Sequence, residues 1–318
     1  MKNFKNITTS ILVILMSILS FGCKQTEEKT AAKTVIQDGK IKVAILVYQN
    51  AELLDFAGPS EVFSNSKDFQ VYTVSAISGK VTTNNNTLSI SPDFTISDAP
   101  QPDILVIPGG PMKAVGLMAN NKEVMDWVNK INGKTQVTMS VCTGAAILSK
   151  TGLLDGKTAT THSGAIDTLQ SLTPKAKFIS NVRFVEDGKI ITTAGVSAGI
   201  DGALHVVEKL KGYKEALFVT AVLEYDKWNP KGGKVIGSEN KDKPAMDMNM
   251  SASKDGITKS DLPSKTISAD QKDMVCGMTI PKGSSRYHFA YKGKDYRFCS
   301  SVCRDLFIKN SALYAGKN

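Results

Sequence analysis

At 318 residues the chain has room for two domains of about 150 residues each. Its 42% hydrophobic and 22% charged content excludes a disordered chain and a polytopic membrane protein. The net charge of +9 sits mostly in residues 231–318, which hold 16 Lys+Arg against 9 Asp+Glu. Single lysines scattered among Ser, Asp and Gly, with no arginine-dense helix, speak against nucleic-acid binding. The five cysteines, Cys23, Cys142, Cys276, Cys299 and Cys303, are an odd number and ask for separate explanations.

Residues 1–23 read MKNFKNITTSILVILMSILSFGC. Lys2 and Lys5 precede an apolar run from Ile11 to Leu19 that is too short to span a bilayer, the pattern of an export signal. Gly22 before Cys23 resembles a bacterial lipobox, although Ser20 stands three places before the cysteine and the leucine, Leu19, one place earlier. The expectation is a signal peptide over residues 1–22, lipidation of Cys23, and a polar tether over 23–40. A plain secretory signal with an incidental cysteine is the alternative. Acyl chains would hold the protein at a membrane while its domains stay in water.

From Lys42 the pattern predicts a parallel α/β sheet. KVAILVY (42–48) is a buried-strand run, and LLDFAGPSEVFSNS holds a short helix after Gly58-Pro59. FQVYTVSAI and DILVIPGG are further strands, the latter ending in a Pro-Gly-Gly turn. NKEVMDWVNKIN is an amphipathic helix with Val124, Trp127, Val128 and Ile131 at helical spacing. TQVTMSV is a strand and CTGAAILSKTGLL a helix; KIITTAG leads to the helix AGIDGALHVVEKL, and EALFVTAVLEY closes a domain over residues 41–225. The polar stretch 226–270 reads as a flexible linker, since so long a structureless loop does not suit a compact domain. Residues 271–318 hold three cysteines and four of the eight tyrosines, a core small enough to need a metal or disulfides.

MSVCTGAAIL is the sharpest local signal. A strand ends at Val141, Cys142 sits at the turn, and Thr143-Gly144-Ala145-Ala146 enters a helix. Such an elbow projects a cysteine from the carboxyl end of the sheet, and the helix N-terminus would favour the nucleophilic thiolate. A buried cysteine acting as a small apolar residue is the other reading. LLDFAGPSEVF, LVIPGG, SVCTGAAILSKTGLLDGKTATTH and GVSAGIDGALH together resemble the ThiJ/PfpI superfamily, with its class I glutamine-amidotransferase-like fold, and within it the isonitrile-hydratase branch and the sensor halves of AraC-type regulators. No helix-turn-helix pair follows, which disfavours the regulator. The resemblance implies a flavodoxin-like parallel sheet sandwich with a nucleophile elbow and no cofactor in this domain. It also implies Cys142 as nucleophile and Asp55 as the acidic residue that handles protons beside it. Glu61 is an alternative acidic neighbour or a plain surface residue. The backbone N–H groups of Gly110 and Thr143 are candidates to stabilise developing negative charge. Thr143 stands where protease-like members carry a histidine, so no dyad of adjacent residues forms. His162, in TTHS, is structural or catalytic; His205 is packing.

In the tail, YHFAYKGKDYRF reads as a hairpin turning at Lys292-Gly293, and Ser300 as the N-cap of SVCRDLFIK, which brings Cys299 and Cys303 to one helical side. With Cys276 arriving from a loop, three thiolates would converge. That set suits Cu(I), or Zn(II) if His288 or water is a fourth ligand; a disulfide between two of the three is the alternative. The elements CGM and FCSSVC resemble the YHS/TRASH domain, a small metal-handling α+β module. The methionines of PAMDMNM (Met246, Met248, Met250), and Met274 and Met278 beside Cys276, are soft donors that a spacer also carries by chance.

These readings imply a cysteine-dependent hydratase or hydrolase that adds water to a small electrophile, with an accessory metal module. The alternative is a non-enzymatic envelope protein that binds copper or zinc and uses the large domain as sensor or scaffold. The expected partners are a small-molecule substrate, a metal ion, the membrane through the anchor, and a second copy as a homodimer. The expected location is the bacterial cell envelope, on the periplasmic side or at the outer membrane.

Overall fold

The computed structural model describes residues 34–237, 270–282 and 287–315. The expected signal peptide, Cys23 and most of the expected tether lie outside these residues, as do Met246, Met248 and Met250.

The centre of the large domain is an eight-stranded sheet built from β1 (Ile41–Leu46), β2 (Phe69–Ser75), β3 (Phe94–Thr95), β4 (Ile104–Ile107), β5 (Val137–Ser140), β6 (Phe184–Asp187), β7 (Ile190–Thr193) and β8 (Lys234–Val235). Their spatial order is β8-β6-β7-β5-β4-β1-β2-β3. Pairing is parallel except for the β6–β7 hairpin. β4, β5 and β7 are buried along their whole length. That explains why ILVI and VTMS read as unbroken runs: helices cover both sheet faces, and neither meets water. The edge strand β8 lies in the stretch read as linker, so the sheet extends past residue 225. A two-residue strand flanked by Lys231 and Gly232-Gly233 carries no periodic signal of its own.

Helices α1 (Leu53–Ser64), α2 (Met112–Ala119), α3 (Lys122–Asn132), α4 (Ala145–Lys150), α5 (Ile166–Leu172), α6 (Ala198–Lys211) and α7 (Tyr213–Val222) flank the sheet. In α3 the Asn121 side chain caps Val124 N–H, and Val124, Trp127, Val128 and Ile131 are buried, as their spacing predicts. α1 departs from expectation. It starts at Leu53 and runs through Pro59 rather than beginning after it. Pro59 lacks an N–H, so the helical bond to the Asp55 carbonyl is missing, a loss the packed helix tolerates. Among the described residues, no helix is long and apolar enough to cross a membrane.

The C-terminal module comprises β9 (Gln271–Lys272), β10 (Thr279–Ile280), the hairpin β11 (Tyr287–Tyr291) and β12 (Lys294–Phe298), and helices α8 (Ser301–Lys309) and α9 (Ser311–Ala315). Lys292 and Gly293 both take positive φ at the hairpin turn, the left-handed conformation that two-residue hairpins favour. Ser300 caps α8 by accepting from Cys303 N–H at 3.2 Å. The module's core is one ring, Phe307, fully buried and surrounded by Tyr296, Phe298, Tyr314, Tyr291 and Phe289 at centroid distances of 4.6 to 6.3 Å. This core does not close on itself. Leu217 and Ala221 of α7 complete it together with Val275, Cys276 and Cys303, so the small module borrows apolar surface from the large domain. Phe307→Ala is expected to cost about 3–5 kcal/mol. A low-temperature transition should then separate from the main one in calorimetry of the full chain.

Candidate functional sites

Three loops converge at the carboxyl ends of β1, β4 and β5, the crevice where chain connectivity reverses direction across the sheet. β5 delivers Cys142, which takes φ +56° on a 3-10 turn (Cys142–Gly144) ahead of α4. A non-glycine residue there is strained, and strain of this kind concentrates at functional sites. The turn can approach β4 so closely because residue 144 is glycine: a Cβ there would lie 2.4 Å from the Ile107 carbonyl oxygen. Val196, a β-branched residue at φ +46°, faces the cysteine from the segment before α6. Its N–H and that of Thr143 hydrogen-bond the Cys142 sulfur.

α1 delivers Asp55, which is fully buried. Oδ2 accepts from Gly109 N–H at 2.9 Å, whereas Oδ1 receives no N–H or O–H bond. Burial pushes the carboxyl up to about 7; the nearby Glu52 charge adds to this, while the Gly109 N–H and the Cys142 thiol oppose it. Burial and the Asp55 charge push the Cys142 thiol up to about 11 against the two N–H donors and the Thr143 side chain. This corrects the expectation of a standing thiolate: a short 3-10 turn cannot offset burial beside a carboxylate. At neutral pH the proton rests on sulfur, and the carboxyl beside it titrates near that pH. Tyr48, also buried, donates to the Pro108 carbonyl at 2.9 Å and holds the Pro-Gly-Gly turn.

The remaining predicted residues separate. Thr143 Oγ1 accepts from Gly110 N–H at 2.9 Å and donates to Gly110 O at 2.7 Å. Gly110 N–H is therefore engaged in a clasp between the β4 and β5 loops and is closed to a developing oxyanion. Glu61 is exposed and accepts from Asn65 Nδ2 at 3.0 Å. Six residues beyond Asp55 on one helix, it points in a different direction and is not the cysteine's acidic neighbour. His162 borders a pocket of about 420 Å³, with Ser163, Asn181, Arg183, Ala194 and Val196; its Nδ1 accepts from Gly164 N–H at 3.1 Å. The pocket abuts the cysteine, since Thr161, another lining residue, donates to Cys142 O and Ala194 O accepts from Cys142 N–H. His205 packs as expected, stacked on Phe184 at 4.2 Å with Nε2 2.5 Å from Glu186 Oε2.

In the C-terminal module Cys276, Cys299 and Cys303 are free thiols. With Asp273 they place one ligand atom each within 4.8 Å of one another. Asp273, missed in the sequence, is buried. Its Oδ1 accepts from Val275 and Cys276 N–H at 2.8 and 3.3 Å, and its Oδ2 from Cys299 N–H at 2.7 Å. It stands three residues before Cys276, a spacing that signals an Asx-type turn. His288 points away: it faces solvent on β11 and pairs with Asp295 at 3.4 Å. Three converging sulfurs beside a buried carboxylate suit a metal ion; the aromatic residues flanking His288 occupy the inner face.

The DJ-1/PfpI family model matches residues 41–209. The chain belongs to this family. A YHS domain model matches residues 271–318, so the small module is a YHS domain. Isonitrile hydratase of Pseudomonas putida is 33% identical over 185 residues, covering 58% of this chain and 78% of that one. The Parkinson disease protein 7 homolog of Danio rerio is 27% identical, covering 57% and 96%. A crystal structure of a ThiJ/PfpI family protein from Pseudomonas syringae is similar at a TM-score of 0.55 and 28% identity, covering 64% of this chain and 85% of that one. The flavodoxin-like fold and the small Cys-rich module are as the sequence implies.

The Asp55 environment has a thermodynamic consequence. Its carboxyl ionises near 3.8 when exposed and near 7 when folded. The folded state therefore holds a proton that the unfolded state has released, and stability falls as pH rises between those values. Above pH 7 the burden is on the order of 4 kcal/mol. Asp55→Asn should raise the melting temperature at pH 8, with the gain shrinking towards pH 4, as measured by pH-dependent thermal denaturation.

Proposed function

We propose that the large domain is a cysteine-dependent, isonitrile-hydratase-like enzyme that adds water to a small electrophile. The buried Asp55–Cys142 pair carries this reading: a neutral thiol on a strained elbow, beside a carboxylate whose basicity suits proton transfer near pH 7. With an isonitrile, Sγ bonds to the terminal carbon while Asp55 takes the thiol proton and passes it to that carbon, giving a thioimidate. Asp55, again a carboxylate, then removes a proton from water as the oxygen attacks the same carbon, and nitrogen receives that proton. The C–S bond breaks, the hydroxyl proton returns to sulfur, and an N-substituted formamide leaves. Thr143 holds the two loops in register through Gly110, so its role is to position the cysteine.

In the YHS domain, Cys276, Cys299 and Cys303 are the proposed ligands. Three sulfurs suit Cu(I). Zn(II) needs a fourth donor, and the nearest carboxylate, Asp273, already accepts three N–H bonds. A bound ion would neutralise thiolate charge and brace the small core. The leader supports a lipid anchor at Cys23 and a cell-envelope location, and the family resemblance supports a homodimer. One observation favours the non-enzymatic reading, in which the protein handles metal and the large domain is a scaffold: Cys142 carries no standing thiolate.

Two experiments test these assignments. With a panel of small isonitriles, Cys142→Ser should abolish formamide release; surviving turnover ends the enzymatic reading. The wild-type kcat/KM should rise through an acid limb near pH 7 to a plateau, because the base is the ionised Asp55. Asp55→Asn should flatten that limb and lower the rate about 10²–10⁴-fold. For the metal site, Asp273→Ala should weaken affinity about 10–100-fold at unchanged stoichiometry, measured by chelator competition, with X-ray absorption still reporting sulfur ligands.

A further inference from the structure

We infer that the C-terminal thiols form a redox switch in which a peroxide joins Cys276 to Cys299, and that this bond and a bound metal exclude one another. The second half rests on the metal-binding reading; the first does not. Cys299 Sγ lies 3.4 Å from Cys276 Sγ and 3.7 Å from Cys303 Sγ. Cys276 and Cys303 also interact, but Cys299 is half-buried where the other two are buried. An oxidant arriving from solvent therefore meets Cys299 first.

The backbone selects its partner. One carboxylate, Asp273, accepts from both Cys276 N–H and Cys299 N–H and holds these two residues side by side. Bonding requires the sulfurs to approach by roughly 1.4 Å, to about 2.05 Å. Cys276 can supply that movement because it lies in the turn between β9 and β10, next to Gly277 at φ +72°. Cys303 cannot do so as readily. It is in the first turn of α8, where the helix and the Ser300 cap on its N–H fix its backbone.

The chemistry balances with hydrogen peroxide as the named oxidant. One sulfur of the pair attacks a peroxide oxygen, the O–O bond breaks, and its sulfenic acid and one water form. The other sulfur then attacks the sulfenic sulfur, the S–O bond breaks, and a second water leaves with the proton of the attacking thiol. Two thiols lose two electrons in all, peroxide gains them, and Cys303 keeps its thiol. Two of the three proposed ligands are thereby consumed, so oxidation releases the ion, and a bound ion protects the pair.

The test uses the metal-free full chain, reduced and then treated with equimolar hydrogen peroxide. Alkylation, proteolysis and mass spectrometry should show a Cys276–Cys299 peptide lighter by about two mass units than its parts, with Cys303 alkylated. Cys276→Ser and Cys299→Ser should abolish the crosslink, and Cys303→Ser should keep it. A predominant Cys299–Cys303 bond, or sulfinic acid with no crosslink, would overturn the switch. In a second arm, excess Zn(II) should slow crosslinking roughly tenfold or more, and peroxide should release zinc to a chromogenic chelator in step with the bond. If the bond forms but the protein takes up neither zinc nor, under reducing conditions, Cu(I), the mutual exclusion falls together with the metal-binding reading. The redox pair itself then stands.

Discussion

A carboxyl group and a thiol, both acids, are enclosed together at the carboxyl ends of β1 and β5, with little solvent to separate them. Burial raises the proton affinity of both, and the Asp55 charge raises that of the thiol further, while the thiol's hydrogen bond lowers that of the carboxyl. The surrounding features follow from holding this pair. The Gly109 N–H stabilises one carboxylate oxygen. The Val196 and Thr143 N–H groups face the sulfur. Tyr48 and the Thr143–Gly110 clasp fix the loop that presents those donors. A sheet whose central strands are buried on both faces supplies the rigidity, because a loose scaffold would let water in and return both groups to their ordinary acidity.

The YHS domain solves a different problem. Fewer than 50 residues give too little apolar surface for an independent core. Phe307 gathers five aromatic rings, and even so the cluster closes only by including Leu217 and Ala221 of α7. The cysteines belong to the same cluster, so ligand placement and docking share side chains. Changes at the thiols are thus felt directly at α7, which packs along α6, the helix whose N-terminal approach carries Val196.

Much of this was legible in the residues. The strand–Cys–Thr–Gly run reads as an elbow because an apolar strand ends at Val141 and a helix-compatible run follows Cys142 directly. The hairpin, the Ser300 cap and the Cys299–Cys303 pair follow from local spacing. What was not legible depends on contacts distant in sequence. Whether Asp55 or Glu61 faces the thiol depends on where α1 begins, and the Pro59 signal misplaced that start. Gly110 N–H looks available until Thr143, 33 residues later, is seen to occupy it. Asp273 reads as a loop residue until Cys299, 26 residues on, donates to it. The strand at Lys234–Val235 exists only because β6 offers an edge.

The two thiol sites also answer each other. Among the described residues Cys142 is strained and buried beside a carboxyl with no second thiol as neighbour, which suits the proposed attack on a small electrophile. The C-terminal cysteines are grouped, with one half-exposed, which suits the proposed metal and redox roles. The difference lies in geometry, since the side chains are identical. In the proposed roles, a neighbouring carboxylate that can take its proton makes a cysteine a nucleophile, and other sulfurs within 4 Å make it a ligand or redox partner.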